Sequence, residues 1–264
     1  MFSYFASEGP HIAIAPEVLF EIGGVAITNS MVYGWVVAAF IITVLWILSR
    51  RITIMGSRGL AQPVEALTDF IYTFTSNSLG TQERARKYAP FFAALFFFAL
   101  LNNWLGLLPI VGQGITYGES PLFRPFTADF NGTLSMALVA MILVQVFAIK
   151  ESGAVGHLRH FFAGNLLNPL TYVIGLSEVF TEFTRLFSLG LRLFLNVVIG
   201  EILIAIFAYL GGTFGFATAV PFTLVEVFVG LLQAYIFVLL TVSYLSMAIA
   251  NSHEHEEVAA KVKV

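Results

Sequence analysis

The chain contains no cysteine and few charged residues. The absence of Cys in 264 residues excludes disulfide bonds and cysteine-ligated metal sites. Only 11% of the residues are charged, whereas soluble proteins average about a quarter. Hydrophobic residues make up 58% of the chain, and the mean hydropathy is +0.86. This composition predicts an integral membrane protein.

Other features that would indicate particular functions are also missing. There is no G-x-x-x-x-G-K-[ST] phosphate-binding loop, so we expect no ATP chemistry on this chain. No Lys or Arg precedes Arg50, and residues 1–30 contain three glutamates. The start of the chain therefore resembles neither a signal peptide nor a transit peptide. We expect residues 1–30 to be a polar extracytoplasmic segment.

Five apolar segments are long enough to cross a bilayer, which takes about 20 helical residues. They cover residues 31–49, 91–108, 132–149, 169–210 and 221–250. The Gly-rich run at 211–215 predicts a turn between the last two. The sequence thus predicts an all-α protein with a single membrane domain over 31–251 and a cytoplasmic tail over 252–264.

The fourth and fifth segments are too long for upright spans. About 40 helical residues reach roughly 60 Å, twice the hydrocarbon thickness. The fourth segment must therefore break or tilt by about 60°, which is unusual for one helix. We expect the two segments to form a long, steeply tilted hairpin that lies against a partner surface.

Basic residues are distributed unevenly between the connecting segments. If the N-terminus is outside, ten of the 13 basic residues fall on the cytoplasmic side and only Arg124 falls outside. The positive-inside rule therefore predicts an outside N-terminus and a cytoplasmic C-terminus. The ten are Arg50, Arg51, Arg58, Arg84, Arg86, Lys87, Lys150, Arg159, Lys261 and Lys263.

The 52–88 segment is less apolar than the spans. Its apolar residues recur at helical spacing from Leu60 to Phe74, with Glu65 and Asp69 between them. This pattern predicts an amphipathic helix on the cytoplasmic surface. A plain cytosolic loop is the alternative.

Ionisable residues within the membrane segments usually mark an ion or proton path. They are concentrated in the last two segments, which contain Glu178, Glu182, Arg185, Arg192, Glu201 and Glu226, together with the polar amide Gln233. Arg185 and Arg192 share a helix face, because they are seven residues apart. For Arg185, a structural ion pair with Glu182 or Glu178 is the alternative to a place on such a path. Arg192 lies too deep in an apolar stretch to reach the interface easily.

The predicted hairpin sets the heights of these residues. A turn near residue 213 places Arg192 level with Gln233, and Glu201 level with Glu226. Two carboxylates in a low dielectric can share a proton, which suits an aqueous inlet. An arginine that stays charged at every working pH can block leakage and attract a partner's carboxylate.

Four motifs occur in the order of a known family. They read NWLGLLP at 103–109, TADFNGTLSMAL at 127–138, SLGLRLFLN at 188–196 and LQAYIFVLLT at 232–241. With these motifs the chain resembles subunit a of the rotary F-type ATP synthase, over roughly residues 90 to 250. One position departs from the pattern, because Leu195 stands where relatives usually have Gly.

The resemblance implies a stator subunit beside a ring of c subunits, with two offset aqueous half-channels. It places the family's essential arginine at Arg192. It also places proton-path residues at Asn196, Glu201, Glu226, Gln233, Asn103 and Asp129, with Glu178 and Glu182 as candidates for the inner exit. The expected partners are the c-ring, the subunit b stalk, the rest of the complex and the lipid bilayer. No cofactor, metal or nucleic acid is expected, and the bacterial plasma membrane is the expected location.

Two other functions compete with this one. A self-contained secondary transporter would usually show internal repeats with broken helices, and none is visible in the sequence. A structural membrane scaffold would leave the heights of Arg192, Gln233, Glu201 and Glu226 unexplained. The tail cluster His253–Glu257 has the residues for a metal site, but a solvated tail is the simpler interpretation.

The hairpin register predicts which cysteine pairs crosslink in this cysteine-free chain. Cysteines replacing Glu201 and Glu226 should form a disulfide readily under mild oxidation, because they are level with each other. Cysteines replacing Arg192 and Glu226 should not, and this pair serves as the matched control. Gel mobility before and after reduction measures both, and the reverse pattern would contradict the register.

Overall fold

The computed structural model describes residues 16–50, 61–108, 111, 116–117, 120–121, 123–161 and 169–262. The described helices are α1 (Asn29–Ser49), α2 (Ala61–Leu79), α3 (Gln82–Gly106), α4 (Phe130–Phe161), α5 (Pro169–Leu210) and α6 (Gly215–Val262). The described strands are β1 (Val18–Ile22), β2 (Val25–Thr28), β3 (Thr116–Tyr117) and β4 (Ser120–Pro121). The all-α membrane prediction is confirmed.

Five helical segments of the described chain are long and apolar enough to cross a membrane. They are Asn29–Ser49, Gln82–Gly106, Phe130–Glu151, Gly175–Leu210 and Gly212–Ala250. The number agrees with the sequence prediction, and α5 has the bounds expected for the fourth segment. The predicted turn is a short 3-10 segment at Gly212–Phe214.

Two predicted boundaries were wrong, and both involve proline. Helix α3 begins at Gln82 and runs through Pro90, and α6 begins at Gly215 and runs through Pro221. Proline inside a helix removes one backbone hydrogen bond. In α3 the buried side chains of Tyr88 and Phe92 flank the proline and hold the helix in place.

The N-terminal segment contains a feature that the sequence analysis did not predict. Strands β1 and β2 pair antiparallel, and Gly23 and Gly24 turn between them with φ of 59° and 85°. Positive φ at both central residues suits a two-residue hairpin, and glycine adopts it without strain. The hairpin leads directly into α1, whose first turn is capped by the Thr28 hydroxyl.

The chain divides into two compact units. The first contains residues 1–66, 94–133 and 191–236. Its core is built on Tyr33, Val37 and Ile41 of α1, which pack against partly buried side chains such as Phe98 and Phe126. The end of α5 and the start of α6 form a hairpin in this unit, with the rings of Phe207 and Phe222 stacked at 3.7 Å.

The second unit contains residues 67–93, 134–190 and 237–264. The ring of Tyr88 packs against Phe147 at 4.6 Å. Glu151 accepts hydrogen bonds from the side chains of Arg84, Lys87 and Tyr88, so α3 and α4 are joined by charge as well as by aromatic packing.

Helix α2 has the predicted amphipathic character. Ile71, Thr75 and Leu79 are buried at four-residue spacing, whereas Asp69 and Asn77 are exposed. At the other end of the chain, α6 continues to Val262. The side chains of the tail cluster His253–Glu257 lie outside the described residues.

Candidate ion-translocation site

Arg192 lies on the outer face of α5. Its side chain is exposed, whereas Leu193 and Val197 on the opposite face are buried. Leu195 and Ile199, one and two turns further along the same outer face, are 46% and 53% exposed. Within the described part of the chain, Arg192 has no hydrogen-bond or ion-pair partner. The helix therefore presents an uncompensated guanidinium on an apolar surface.

Glu201 and Glu226 are brought together by the hairpin of α5 and α6. The Glu226 carboxyl group lies against the backbone of Gly200, so close that a Cβ atom there would collide with it. Glu201, the next residue, lies within electrostatic range of Glu226 and Arg124, and of Tyr33. We call Glu201, Glu226, Tyr33 and Arg124 the carboxylate cluster. The predicted pairing of Glu201 with Glu226 agrees with this geometry.

The C-terminal end of α3 is tied to α6 by side-chain hydrogen bonds. Asn103 Nδ2 donates to the Gly230 carbonyl at 3.3 Å, and Trp104 Nε1 donates to the Val227 carbonyl at 2.9 Å. Gln233, one turn beyond Gly230, is only 6% exposed. The structure therefore places Asn103, at the end of α3, beside the turn of α6 that precedes Gln233.

Three side-chain amides of the predicted proton path each have a buried atom that lacks a hydrogen-bond partner among the described residues. They are Asn103 Oδ1, Asn196 Nδ2 and Gln233 Nε2. Buried polar atoms are normally paired with protein or water. These atoms therefore retain capacity to bind water or a partner side chain, as a hydrated path requires.

Asp129 is bound on both carboxylate oxygens. Oδ2 accepts a hydrogen bond from the Ser30 hydroxyl at 2.5 Å, and Oδ1 accepts one from the Asn131 backbone N–H at 3.0 Å. The second bond satisfies a free N–H at the start of α4. Asp129 thus joins the beginnings of α1 and α4, a structural position that the sequence analysis did not foresee.

Arg124 and Tyr33 were missed as members of the site. Arg124 is only 8% exposed, and its Nη2 donates to the Ala128 carbonyl at 3.1 Å. The sequence analysis counted it as the lone basic residue outside, which was the one available signal. Tyr33 gave no signal, because a tyrosine near the end of a span is usually an interfacial residue.

Glu178 and Glu182 belong to the second unit. Glu182 forms an ion pair with Arg185 at 2.6 Å, and the Arg185 guanidinium stacks over the ring of Tyr244 at 5.1 Å. The alternative in which Arg185 pairs with Glu182 is therefore the observed one. Glu178 is half-buried one turn earlier on α5.

The geometry is that of a multi-pass membrane protein with an exposed helix arginine and a carboxylate pair in one hairpin. The family model described as ATP synthase A chain matches residues 31–246. This chain belongs to the ATP synthase A chain family. Members of this family are multi-pass subunits of the ATP synthase complex, which couples ion transport to ATP synthesis.

Several curated relatives of subunit a match over most of this chain. ATP synthase subunit a of Chlorobium phaeobacteroides is 31% identical over 94% of this chain and 72% of its own length. That of Moorella thermoacetica is 28% identical over 88% of this chain and 96% of its own. ATP synthase subunit a 2 of Bradyrhizobium sp. is 31% identical over 90% and 96%.

The packing of Gly200 against Glu226 predicts a paired mutational effect. Gly200→Ala should slow ATP-driven ion pumping severalfold, because the added methyl group displaces the Glu226 carboxyl group. The shorter acid in Gly200→Ala with Glu226→Asp should recover part of the loss. Pumping by membrane vesicles measures both, with Glu226→Asp alone as the control. Purely additive effects of the two changes would contradict this contact.

Proposed function

We propose that this chain is the proton-translocating stator subunit of the ATP synthase membrane motor. In this proposal it provides two aqueous half-channels that lead to carboxylates on a ring of c subunits. Arg192 separates the half-channels and forces the ring to rotate as protons pass. The observation that carries the proposal is the exposed position of Arg192 on an apolar helix face.

An arginine facing lipid is energetically unfavourable. Insertion scales put its cost at about 2.5–3.5 kcal/mol at the centre of a membrane helix. A partner that carries a carboxylate at the same depth would remove this cost. Such a partner must also cover the apolar residues Leu195 and Ile199, which flank the arginine. A helix of a c subunit, apolar with one ionisable carboxylate, meets both requirements.

The carboxylate cluster is suited to be the proton inlet. Glu201 precedes the 3-10 turn at Gly212–Phe214 by about three helical turns, and Glu226 follows it by about three. Both acids therefore lie between the turn and the level of Arg192. Protons entering at the turn end reach these acids first. Asn196, Asn103 and Gln233 have the free hydrogen-bonding capacity to support water beyond them. Asp129, just before the start of α4, is the further acid that we assign to the outer part of the path.

The inner exit is proposed at Glu178 and Glu182. Both lie on the part of α5 that precedes Arg192. The ion pair with Arg185 balances the charge of Glu182. This assignment goes with an outside N-terminus, a cytoplasmic C-terminus and the bacterial plasma membrane, and subunit b is the proposed stalk partner.

The proposal predicts that Arg192 is required for coupling. In membrane vesicles carrying the whole complex, Arg192→Ala should abolish ATP-driven proton pumping and increase the passive proton leak. Arg86→Ala removes an exposed arginine of α3 and should leave both unchanged. Pumping by Arg192→Ala at the normal rate would remove the coupling role and reopen the transporter and scaffold alternatives.

The inlet predicts a graded response of the two carboxylates. Glu201→Gln should slow coupled transport, and Glu226 should partly substitute for it, because both acids can hold the proton. The double variant Glu201→Gln with Glu226→Gln should be slower than either single variant. Glu21→Gln, at an exposed position of β1, is the control. Full-rate transport by the double variant would exclude both acids from the path.

A further inference from the structure

A chain of hydrogen bonds at the start of α1 leads from the protein surface to a buried acid. The hydroxyl oxygens of Thr28 and Ser30 lie 2.9 Å apart, and the Ser30 hydroxyl donates to Asp129 Oδ2 at 2.5 Å. Thr28 is half-buried at the end of β2, whereas Ser30 is fully buried and Asp129 is only 5% exposed. The bonds therefore connect a group that solvent reaches with a carboxyl group that solvent barely reaches.

The hydrogens of this chain can point in only one direction. A hydroxyl group has one proton to donate, and Ser30 uses its proton for Asp129. The Ser30 oxygen is therefore the acceptor of the bond from Thr28. The Thr28 oxygen in turn accepts from the Met31 backbone N–H at 3.4 Å and keeps a second lone pair for water. Each hydroxyl donor points inward, as transfer of a proton to Asp129 requires.

Hydrogen bonds around the chain hold its members in place. The Asn29 N–H donates to the Glu17 carbonyl at 3.0 Å, and Asn29 Oδ1 accepts from the Glu17 N–H at 3.3 Å. The Asn131 N–H binds the other carboxylate oxygen of Asp129. Proton transfer needs donors and acceptors that stay within hydrogen-bond reach of each other. These contacts meet that requirement, because they fix both the start of α1 and the carboxyl group.

A second observation beside Asp129 indicates a place for water. Thr127 belongs to the short 3-10 turn that ends at Asp129. Its side chain is fully buried, and its Oγ1 atom lacks a hydrogen-bond partner among the described residues. Buried polar atoms are normally paired with protein or water, so we expect a bound water there. Asp129 itself precedes α4 and lies outside the spanning segments of the described chain.

We propose that Thr28 and Ser30 form a hydroxyl relay that carries protons from the outer water to Asp129. A hydronium ion gives a proton to the Thr28 oxygen and is left as water. The proton of Thr28 passes to Ser30, and the proton of Ser30 passes to Asp129. Each hydroxyl oxygen forms one O–H bond and loses one, so both groups are regenerated and one proton is moved. This inference rests on the proposed place of Asp129 on the outer part of the path and adds the step before it.

The experiment measures ATP synthesis driven by an imposed proton gradient, because this direction draws protons in from the outer side. Membrane vesicles carrying the whole complex are used, and rates are divided by the amount of assembled complex. Ser30→Ala should be roughly tenfold slower, below the full contribution of a positioned proton donor because water can partly replace the hydroxyl. A normal rate in Ser30→Ala would overturn the inference.

Two substitutions of Thr28 separate a relay from a structural cap. Thr28→Ser keeps the hydroxyl group and should support a normal rate. Thr28→Asn keeps a side-chain oxygen that caps a helix at least as well as threonine, but it has no hydroxyl proton to pass on. Thr28→Asn should therefore be severalfold slower than Thr28→Ser. Equal rates in the two variants would show that Thr28 only caps α1, and would overturn the inference.

The same pair decides the matter if Ser30→Ala fails to assemble. A slow but assembled Thr28→Asn beside a normal Thr28→Ser would then support the relay. Failure of Thr28→Asn to assemble would indicate a structural role and overturn it. Thr43→Val is the matched control, because it removes from an exposed position of α1 a hydroxyl group that donates to the Ala39 carbonyl. This control should synthesise ATP at the normal rate.

Arg192→Ala in the same vesicles reports separately on the proposed function and should abolish synthesis. Loss of synthesis in Arg192→Ala together with normal rates in Ser30→Ala and Thr28→Asn would reject only the relay. Synthesis at the normal rate in Arg192→Ala would reject the proposed function itself.

Discussion

The energetic cost of a charge at membrane depth is the constraint on which the rest of this structure depends. Arg192 stands exposed on α5 between apolar side chains, and the described part of the chain gives it no counter-ion. A soluble protein would solvate such a group, whereas a bilayer cannot. The exposed apolar face of α5 is therefore incomplete without a partner that is apolar and acidic. The proposed ring contact follows from this requirement.

The same energetic cost applies to the carboxyl groups of Glu201 and Glu226, which the hairpin of α5 and α6 brings together. The Glu226 carboxyl group packs against α5 only because residue 200 is glycine, whose missing side chain leaves space for it. The stacked rings of Phe207 and Phe222, and the hydrogen bond from the Thr218 hydroxyl to the Phe207 carbonyl at 2.6 Å, fix the helices near the turn. The register of the acids is thus set by apolar packing beside them.

The sequence was sufficient for the parts of the fold that depend on local periodicity. The bounds of α5, the turn near residue 213 and the pairing of Glu201 with Glu226 follow from apolar length, glycine content and helical geometry. Pro90 and Pro221 were misread as boundaries because their local preference is overridden by packing. The burial of Arg124 was not foreseen, because burial of a loop residue is decided by distant segments, here Gly106 and Tyr33, that no local pattern reveals.

Arg192 and Arg124, both in the first unit, are in opposite environments. Arg192 is exposed on a helix, so its charge is available to a group that moves past it. Arg124 is buried in a segment fixed by Pro125 and Phe123, so its charge acts only on groups that stay beside it. In the proposed function the exposed charge of Arg192 meets the carboxylate of a partner, whereas the buried charge of Arg124 cannot leave the segment that holds it.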